Sequence, residues 1–300
     1  MSVRISPEIA DALERGAPVV CLETTLVAHG FPAGEGFAVG ASSEAAVRAA
    51  GALPATVGIL DGELVVGLTE AELRRFGEAG GAARKVGARD LAACCVQGAL
   101  GATTVGGTLA AVRPLGIAVM ATGGLGGVHR EFPRPPDISS DLGELARTRV
   151  VIVSCGVKSL LDVPATSELL ETLGIPVLGY RTDTLPLFYA AAGGPPVSAR
   201  VESAGEAAAV ARAHWGLGAS SAVALARPPE PSLDDVEPLI EEALAEAVKQ
   251  GVRGPAITPF VLARLHERSD GRTLRANREL IVGNAALAGE VAVALEALAD

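Results

Sequence analysis

Lysine is nearly absent: of 25 basic side chains in 300 residues, only Lys85, Lys158 and Lys249 are lysines. Arginine meets the need for positive surface charge, and it stays protonated and cannot form a Schiff base, so each lysine kept raises the prior on amine chemistry. A GC-rich genome produces the same scarcity, and the count alone assigns nothing. Aromatic residues are also few, 3% of the chain against 49% hydrophobic residues in all. An apolar mass made of Ala, Val and Leu suits helices laid on a parallel sheet better than a β-sandwich. No apolar stretch reaches membrane-spanning length before Gly, Pro or a charge interrupts it; even Leu109–Val119 carries Arg113 and Pro114. Neither a membrane span nor a secretion signal is expected. The four cysteines, Cys21, Cys94, Cys95 and Cys155, lack any C-x-x-C spacing. That leaves no zinc or dithiol motif and points to a reduced, cytoplasmic protein. The net charge of −10 repels phosphodiester backbones and argues against nucleic acid polymers as partners.

What is present is alternation. Strands are expected at Ala17–Leu22, Ala55–Leu60, Thr103–Val105, Ile117–Ala121, Val150–Cys155, Pro176–Gly179 and Ser221–Ala226. Helices are expected at Pro7–Arg15, Gly36–Ala50, Glu70–Glu78, Asp90–Leu100, Ser139–Arg147, Pro164–Leu173, Ala204–Trp215, Leu233–Lys249 and Thr273–Leu298. The pattern predicts an α/β fold, a three-layer α/β/α sandwich around a large, mostly parallel or mixed sheet, as one domain over residues 1–300. Asp61-Gly62 between Thr56–Leu60 and Leu64–Val66 reads as a β-hairpin, a small side element. The Gly-Gly-Pro-Pro centre of Ala191–Val197 reads as a loop.

In open α/β sheets ligands bind where strands end, so four stretches come first. The first strand runs into Glu23-Thr-Thr-Leu-Val-Ala-His29-Gly30. A carboxyl at the mouth of an apolar strand is partly desolvated, which raises its pKa and suits it to proton donation; a solvated or capping Glu fits the spacing equally well. The Ile117–Ala121 strand ends in Thr122-Gly-Gly-Leu-Gly-Gly-Val-His129-Arg130. Its glycines let backbone N–H groups turn toward one point, and His129 and Arg130 add donors, a setting for a phosphate monoester. It is neither G-x-G-x-x-G nor a Walker A loop. Asp137-Ile-Ser139-Ser140-Asp141 opens a helix. Capping is the plainer reading, while the same acids and hydroxyls can offer hard oxygens to Mg²⁺ or Mn²⁺. The longest strand passes into Gly156-Val157-Lys158-Ser159. An ammonium is costly to desolvate just past such an apolar run, which makes Lys158 the preferred nucleophile. Lys85, in Arg84-Lys-Val-Gly-Ala-Arg-Asp90, is a candidate phosphate or sugar ligand. Lys249 ends a helix, where a cation meets the dipole, and carries no functional weight. His214, His266, Cys94 and Cys95 lie within helical segments and read as packing.

Taken together, Glu23-Thr-Thr-Leu-Val-Ala-His-Gly, Lys85-Val-Gly-Ala-Arg-Asp-Leu, Ala121-Thr-Gly-Gly-Leu-Gly-Gly-Val-His-Arg130, Asp137-Ile-Ser-Ser-Asp-Leu and Gly156-Val-Lys-Ser-Leu-Leu-Asp162 resemble the pseudouridine-5'-phosphate glycosidase family in order and spacing. Glu171–Tyr180, Thr258-Pro-Phe260 and Asn277 extend the similarity over nearly the whole chain. The resemblance implies an α/β/α enzyme, usually a homotrimer with Mn²⁺, acting on ribose 5-phosphate joined through carbon to a base. It makes Lys158 the Schiff-base nucleophile and Glu23 the acid that opens the ribose ring. It places the metal near Asp137, the sugar phosphate near Lys85, Val105, His129, Ser139, Ser140 and Asp141, and the base near Asn277. The chain departs from the family pattern at Ala226-Arg-Pro-Pro229, Gly254-Pro-Ala256, Gly283-Asn-Ala285 and at Gly106 and Gly107. Retained sugar motifs beside drifted carboxyl-terminal ones lean toward the family's C-glycosynthase branch, with an aromatic polyketide-type aglycone. The alternatives are a glycosidase releasing uracil and a sugar-phosphate-binding protein without catalysis.

Overall fold

The computed structural model describes residues 3–298 apart from 33, 131–132, 134–135 and 254–255. Two of the three residues of the Gly254–Ala256 departure lie outside the described residues. The frame is a sheet whose strands run, edge to edge, β1 (Val3–Ile5), β4 (Glu63–Val66), β3 (Leu53–Leu60), β2 (Val19–Glu23), β7 (Val119–Ala121), β9 (Val151–Ser154), β13 (Val223–Ala226), β11 (Val177–Tyr180) and β12 (Ala199–Val201). Strand β6 (Gly101–Thr103) pairs antiparallel with β3 and carries β5 (Arg84–Val86) parallel to itself. The β3–β4 hairpin is the other antiparallel pair in this sheet, and the remaining pairings are parallel.

Side chains on a strand alternate faces, and here both faces are covered. Cys21, Met120 and Ile152 join one apolar cluster, while Leu22, Val119, Ala121, Val151 and Val153 join another. Burial on both sides is why these strands read as unbroken apolar runs. Helices α1 (Pro7–Glu14), α5 (Leu91–Val96), α6 (Val105–Val112), α8 (Val163–Thr172) and α10 (Glu237–Lys249) contribute to the first cluster. Helices α3 (Glu35–Ala49), α9 (Ala204–Gly216) and α12 (Arg272–Glu296) contribute to the second. This is the α/β/α arrangement that the alternation predicts. Among the described residues no helix is long and apolar enough to cross a membrane.

The differences have local causes. The Asp61-Gly62 hairpin forms, but its first strand is eight residues long and buried almost throughout, so it joins the main sheet beside β2. The separate two-stranded element is instead β8 (Val128–His129) with β10 (Leu161–Asp162). The strand expected at Thr103–Val105 ends at Thr103, and Val105 opens α6. Helices α2 (Thr25–His29) and α11 (Ile257–Arg268) also lie outside the expected set.

Gly58 shows how closely the layers meet. A Cβ there would stand 2.5 Å from the Phe76 ring on α4 (Glu70–Ala79). Gly58→Ala should therefore overpack this contact and cost about 1–3 kcal/mol, read as a lower urea midpoint at unchanged slope. An unchanged midpoint would show that the ring moves aside freely.

Candidate functional site

The carboxyl ends of β2, β7 and β9 lie side by side and carry Glu23, the Thr122–Arg130 loop and the loop to Lys158. Glu23 is 9% exposed, and Thr122 Oγ1 donates to its Oε1 at 2.5 Å. Burial pushes the Glu23 carboxyl above the usual carboxylate range, against the charge of Lys158, the Thr122 hydrogen bond and Lys85, with Asp141 adding to the rise. Lys85, on β5, is driven the other way by burial and then by the Lys158 charge; Asp141, Glu23 and Asp137 oppose that shift. These mutual fields put Glu23, Lys85, Lys158 and Asp141 within electrostatic reach of one another. His29 feels Lys85 as well, its imidazole pushed down by burial and then by that charge.

The loops after β7 and β9 are laced by their backbones. Cys155 N–H donates to Gly123 O at 2.9 Å, Leu125 N–H to Gly156 O at 2.9 Å, and Lys158 N–H to Leu125 O at 3.1 Å. The main chain of Lys158 is thereby fixed against the glycine-rich loop. Close approach is what the glycines provide: a Cβ on Gly124 would stand 2.5 Å from Phe188, and one on Gly126 would stand 2.4 Å from Ser139 Oγ and 2.8 Å from Asp141 Oδ2. The N–H groups of Leu125, Val128 and His129 are engaged within the protein.

The Asp137–Asp141 stretch is not a simple cap. Helix α7 (Asp141–Leu145) begins at Asp141, and neither Ser140 before it nor Asp141 itself caps it through a side chain. Asp141 Oδ1 instead accepts from Gly106 N–H at 2.8 Å and Thr104 Oγ1 at 3.2 Å, anchoring the N-terminus of α6. Ser139 Oγ accepts from Asp141 N–H, and exposed Ser140 has its Oγ toward Gly87, two residues past Lys85. Val105, 1% exposed, sends its side chain into the core. His129 Nδ1 lies 3.9 Å from Asp137 Oδ2. Arg130, read from sequence as a phosphate donor, has structural work: it donates to the carbonyls of Ser159 and Leu161 and pairs with Glu237 at 2.8 Å.

A manganese ion at Asp137, or magnesium in its place, finds no support in the donor set. Among the described residues no three His, Cys, Asp or Glu side chains are grouped to hold an ion. Asp137 faces His129, and Asp141 is committed to the start of α6.

Sequence reading missed two positioning groups. Asn284, fully buried on α12, donates from Nδ2 to the carbonyls of Thr122 at 2.8 Å and Gly123 at 3.3 Å, and its Oδ1 accepts from the Cys155 thiol at 3.4 Å. One amide thus ties the ends of β7 and β9. Its signal was a polar side chain at helical spacing among Ile281, Ala285 and Ala288, one face of α12 that it shares with Asn277. Thr122 itself was the second. Asn277, proposed for the base, lies two turns earlier on α12; it is buried, and its Oδ1 has no hydrogen-bond partner among the described residues.

A raised carboxyl pKa has a stability consequence. The folded state holds a proton on Glu23 that the unfolded chain gives up, so this stability is fully present below the unfolded carboxylate pKa and is lost as pH rises through the folded value. Glu23→Gln should match wild type in thermal unfolding at about pH 4 and exceed it at about pH 8. Equal midpoints at both values would show that the carboxyl is not desolvated.

The family model described as "Indigoidine synthase A like protein" matches residues 8–294. A pseudouridine-5'-phosphate glycosidase of Myxococcus xanthus is 45% identical over 298 residues, 98% of each chain. The crystal structure of the prealnumycin C-glycosynthase AlnA in complex with ribulose 5-phosphate superposes with a TM-score of 0.90 at 41% identity, covering 100% of this chain and 98% of that one. An indigoidine synthase A-like protein of Thermotoga maritima follows, with a TM-score of 0.87 at 38% identity over 99% and 97% of the two chains. Full-length matches at this identity leave one conclusion: the chain belongs to the indigoidine synthase A-like family, that of the pseudouridine-5'-phosphate glycosidases.

Proposed function

We propose that this protein cleaves pseudouridine 5'-phosphate to uracil and ribose 5-phosphate, with Lys158 as nucleophile and Glu23 as acid. The observation that carries the reading is the pairing itself: a buried, hydrogen-bonded carboxyl within the field of a lysine whose backbone two loops hold in place. A binding protein would need neither group. The 45% identity to a curated glycosidase supports the cleaving direction.

A C-glycoside has no leaving heteroatom to protonate, so the ordinary acid-catalysed route is closed. In the proposed route Glu23 gives its proton to the ring oxygen as the C1–oxygen bond breaks, while the Lys158 amine forms a bond to C1. The aglycone carbon takes the proton that the C1-bound amine releases; the C1–carbon bond then breaks, its electron pair passing into the ring π system and onto the conjugated oxygen, and C1 is left as an iminium of Lys158. Water hydrolyses the iminium, freeing ribose 5-phosphate and the amine. Lys85, Ser139, Ser140, His129 and the Val105 and Asp141 region hold the sugar phosphate in this reading, with Asn277 toward the base. An open-chain pentulose phosphate, such as the one named with AlnA, fits the same ring-opened intermediate. The working particle is taken to be a homotrimer, which native mass measurement checks.

The reverse direction, addition of an electron-rich aromatic carbon to the same iminium, is the second reading. The favouring observation is the carboxyl-terminal pairing of Arg227 with Gly283, together with the resemblance to AlnA. Turnover decides between them. Cleavage of pseudouridine 5'-phosphate at roughly 10⁴ M⁻¹s⁻¹ or above is expected; its absence alongside coupling of ribose 5-phosphate to a polycyclic phenol would establish the synthase.

Borohydride should trap ribose 5-phosphate on Lys158, and Lys158→Arg should lose both the adduct and turnover, by on the order of 10³-fold or more. An adduct that persists in the variant, with activity retained, would show that another lysine reacts. Free ribose should be a poor substrate, because phosphate binding energy holds the open sugar in its reactive pose. Equal rates with ribose and ribose 5-phosphate would remove Lys85 and Ser139 from the site.

A further inference from the structure

The sugar has two ends, and the sheet offers a place for each. Ribose 5-phosphate carries its phosphate on C5 and its aglycone on C1, at opposite ends of the carbon chain. Lys85 belongs to β5, joined through β6 to β3, on the β2 side of the sheet. With C1 at Lys158 above β9, a ligand whose phosphate lies toward Lys85 must send its aglycone the other way. The next strand in that direction is β13.

The first residue past β13 is Arg227, whose N–H donates to Ser154 O at 2.8 Å. Its guanidinium lies against bare helix backbone: a Cβ on Gly283 would stand 2.7 Å from Nη1 and 2.9 Å from Cζ. The Cys155 thiol, beside it, feels its charge and takes a side-chain hydrogen bond from it, but sulfur is only a weak acceptor. Nη1 is buried and has no hydrogen-bond partner among the described residues. Among the described residues its ion pair is loose, 3.7 Å from Nη2 to a Glu230 carboxylate that is 83% exposed. Arg227 itself is only 18% exposed at the side chain. A guanidinium so enclosed, with donors unspent, is costly in the free protein and is satisfied by an added acceptor.

We infer that Arg227 recognises the aglycone, donating to an oxygen on a flat ring at C1. This rests on the sugar-phosphate reading above and adds the substrate class: a planar base or aromatic with a carbonyl or phenolic oxygen conjugated to the glycosylated carbon. That oxygen bears the electron pair released when the C1–carbon bond breaks, so a fixed cation beside it both selects the ring and stabilises the charge. Gly283 is the clearance that lets the guanidinium lie flat.

The test separates the sugar half from the aglycone half. Borohydride trapping of ribose 5-phosphate on Lys158 needs no aglycone, whereas cleavage of pseudouridine 5'-phosphate does. Arg227→Met should keep adduct yield within about twofold while kcat/KM for cleavage, and the acceptor KM in coupling assays, worsen by about ten- to a hundredfold. Arg227→Lys should recover part of that loss. Gly283→Ala, which displaces the guanidinium but keeps its charge, should move the same aglycone parameters in the same direction. Unchanged aglycone parameters in Arg227→Met would overturn the inference. So would an equal fall in trapping and cleavage, which would make Arg227 a support for the Lys158 loop. Failure of the wild-type protein to form an adduct would instead overturn the sugar-phosphate reading on which the inference stands.

Discussion

A carboxyl placed where water barely reaches is the constraint around which this site is arranged. Glu23 ends a strand buried at every position, and a charge there is opposed by desolvation. Thr122 answers with a short hydrogen bond, and Lys158 and Lys85 answer with positive potential. The same burial that favours the neutral acid favours the neutral amine of Lys85. Burial thus moves the Glu23 carboxyl and the Lys85 ammonium in opposite directions, each toward its neutral form.

Keeping those groups in register falls to groups that do not react. Asn284 holds the carbonyls that end β7 and touches the thiol that follows β9. Asp141 holds the start of α6 and so fixes the Asp137–Asp141 stretch beside Lys85. Backbone hydrogen bonds between the two loops then leave Lys158 little freedom. Removing a methyl group from each glycine position makes this density possible, because Gly124 and Gly126 face Phe188, Ser139 and Asp141 at distances no Cβ tolerates.

Much of this was legible. Strands covered on both faces announce themselves as apolar runs, and the Asp61-Gly62 turn announced the hairpin. Acid, glycine loop and lysine each followed a predicted strand, which is where an open α/β sheet binds ligands. Helix α6 was not legible, because Gly106 and Gly107 are poor helix formers. They are there for close approach: a Cβ on Gly107 would meet Val86 O at 2.4 Å, and one on Gly106 would meet Asp141 Oδ1 at 3.0 Å. Packing between distant segments overrode local propensity. Arg130 misled for a related reason: a cation after a glycine loop reads as a ligand donor, and only its contacts show that it braces Ser159 and Leu161.

Period, composition and strand-end position were enough to determine the layered fold, the two lysines worth attention and the order of the motifs along the chain. Those are local properties, set by which side chains alternate and which residues can turn. What the tertiary structure decided was neighbourhood. Strands β2, β7 and β9 are adjacent although nearly a hundred residues separate the first two in sequence, and only that adjacency brings Thr122 to Glu23 and both into the field of Lys158. It also turned Asp141 from a cap on its own helix into an anchor for another, and set the Arg227 guanidinium against Gly283. No local pattern encodes such pairings, because they arise from long-range packing of elements that the chain merely supplies in order.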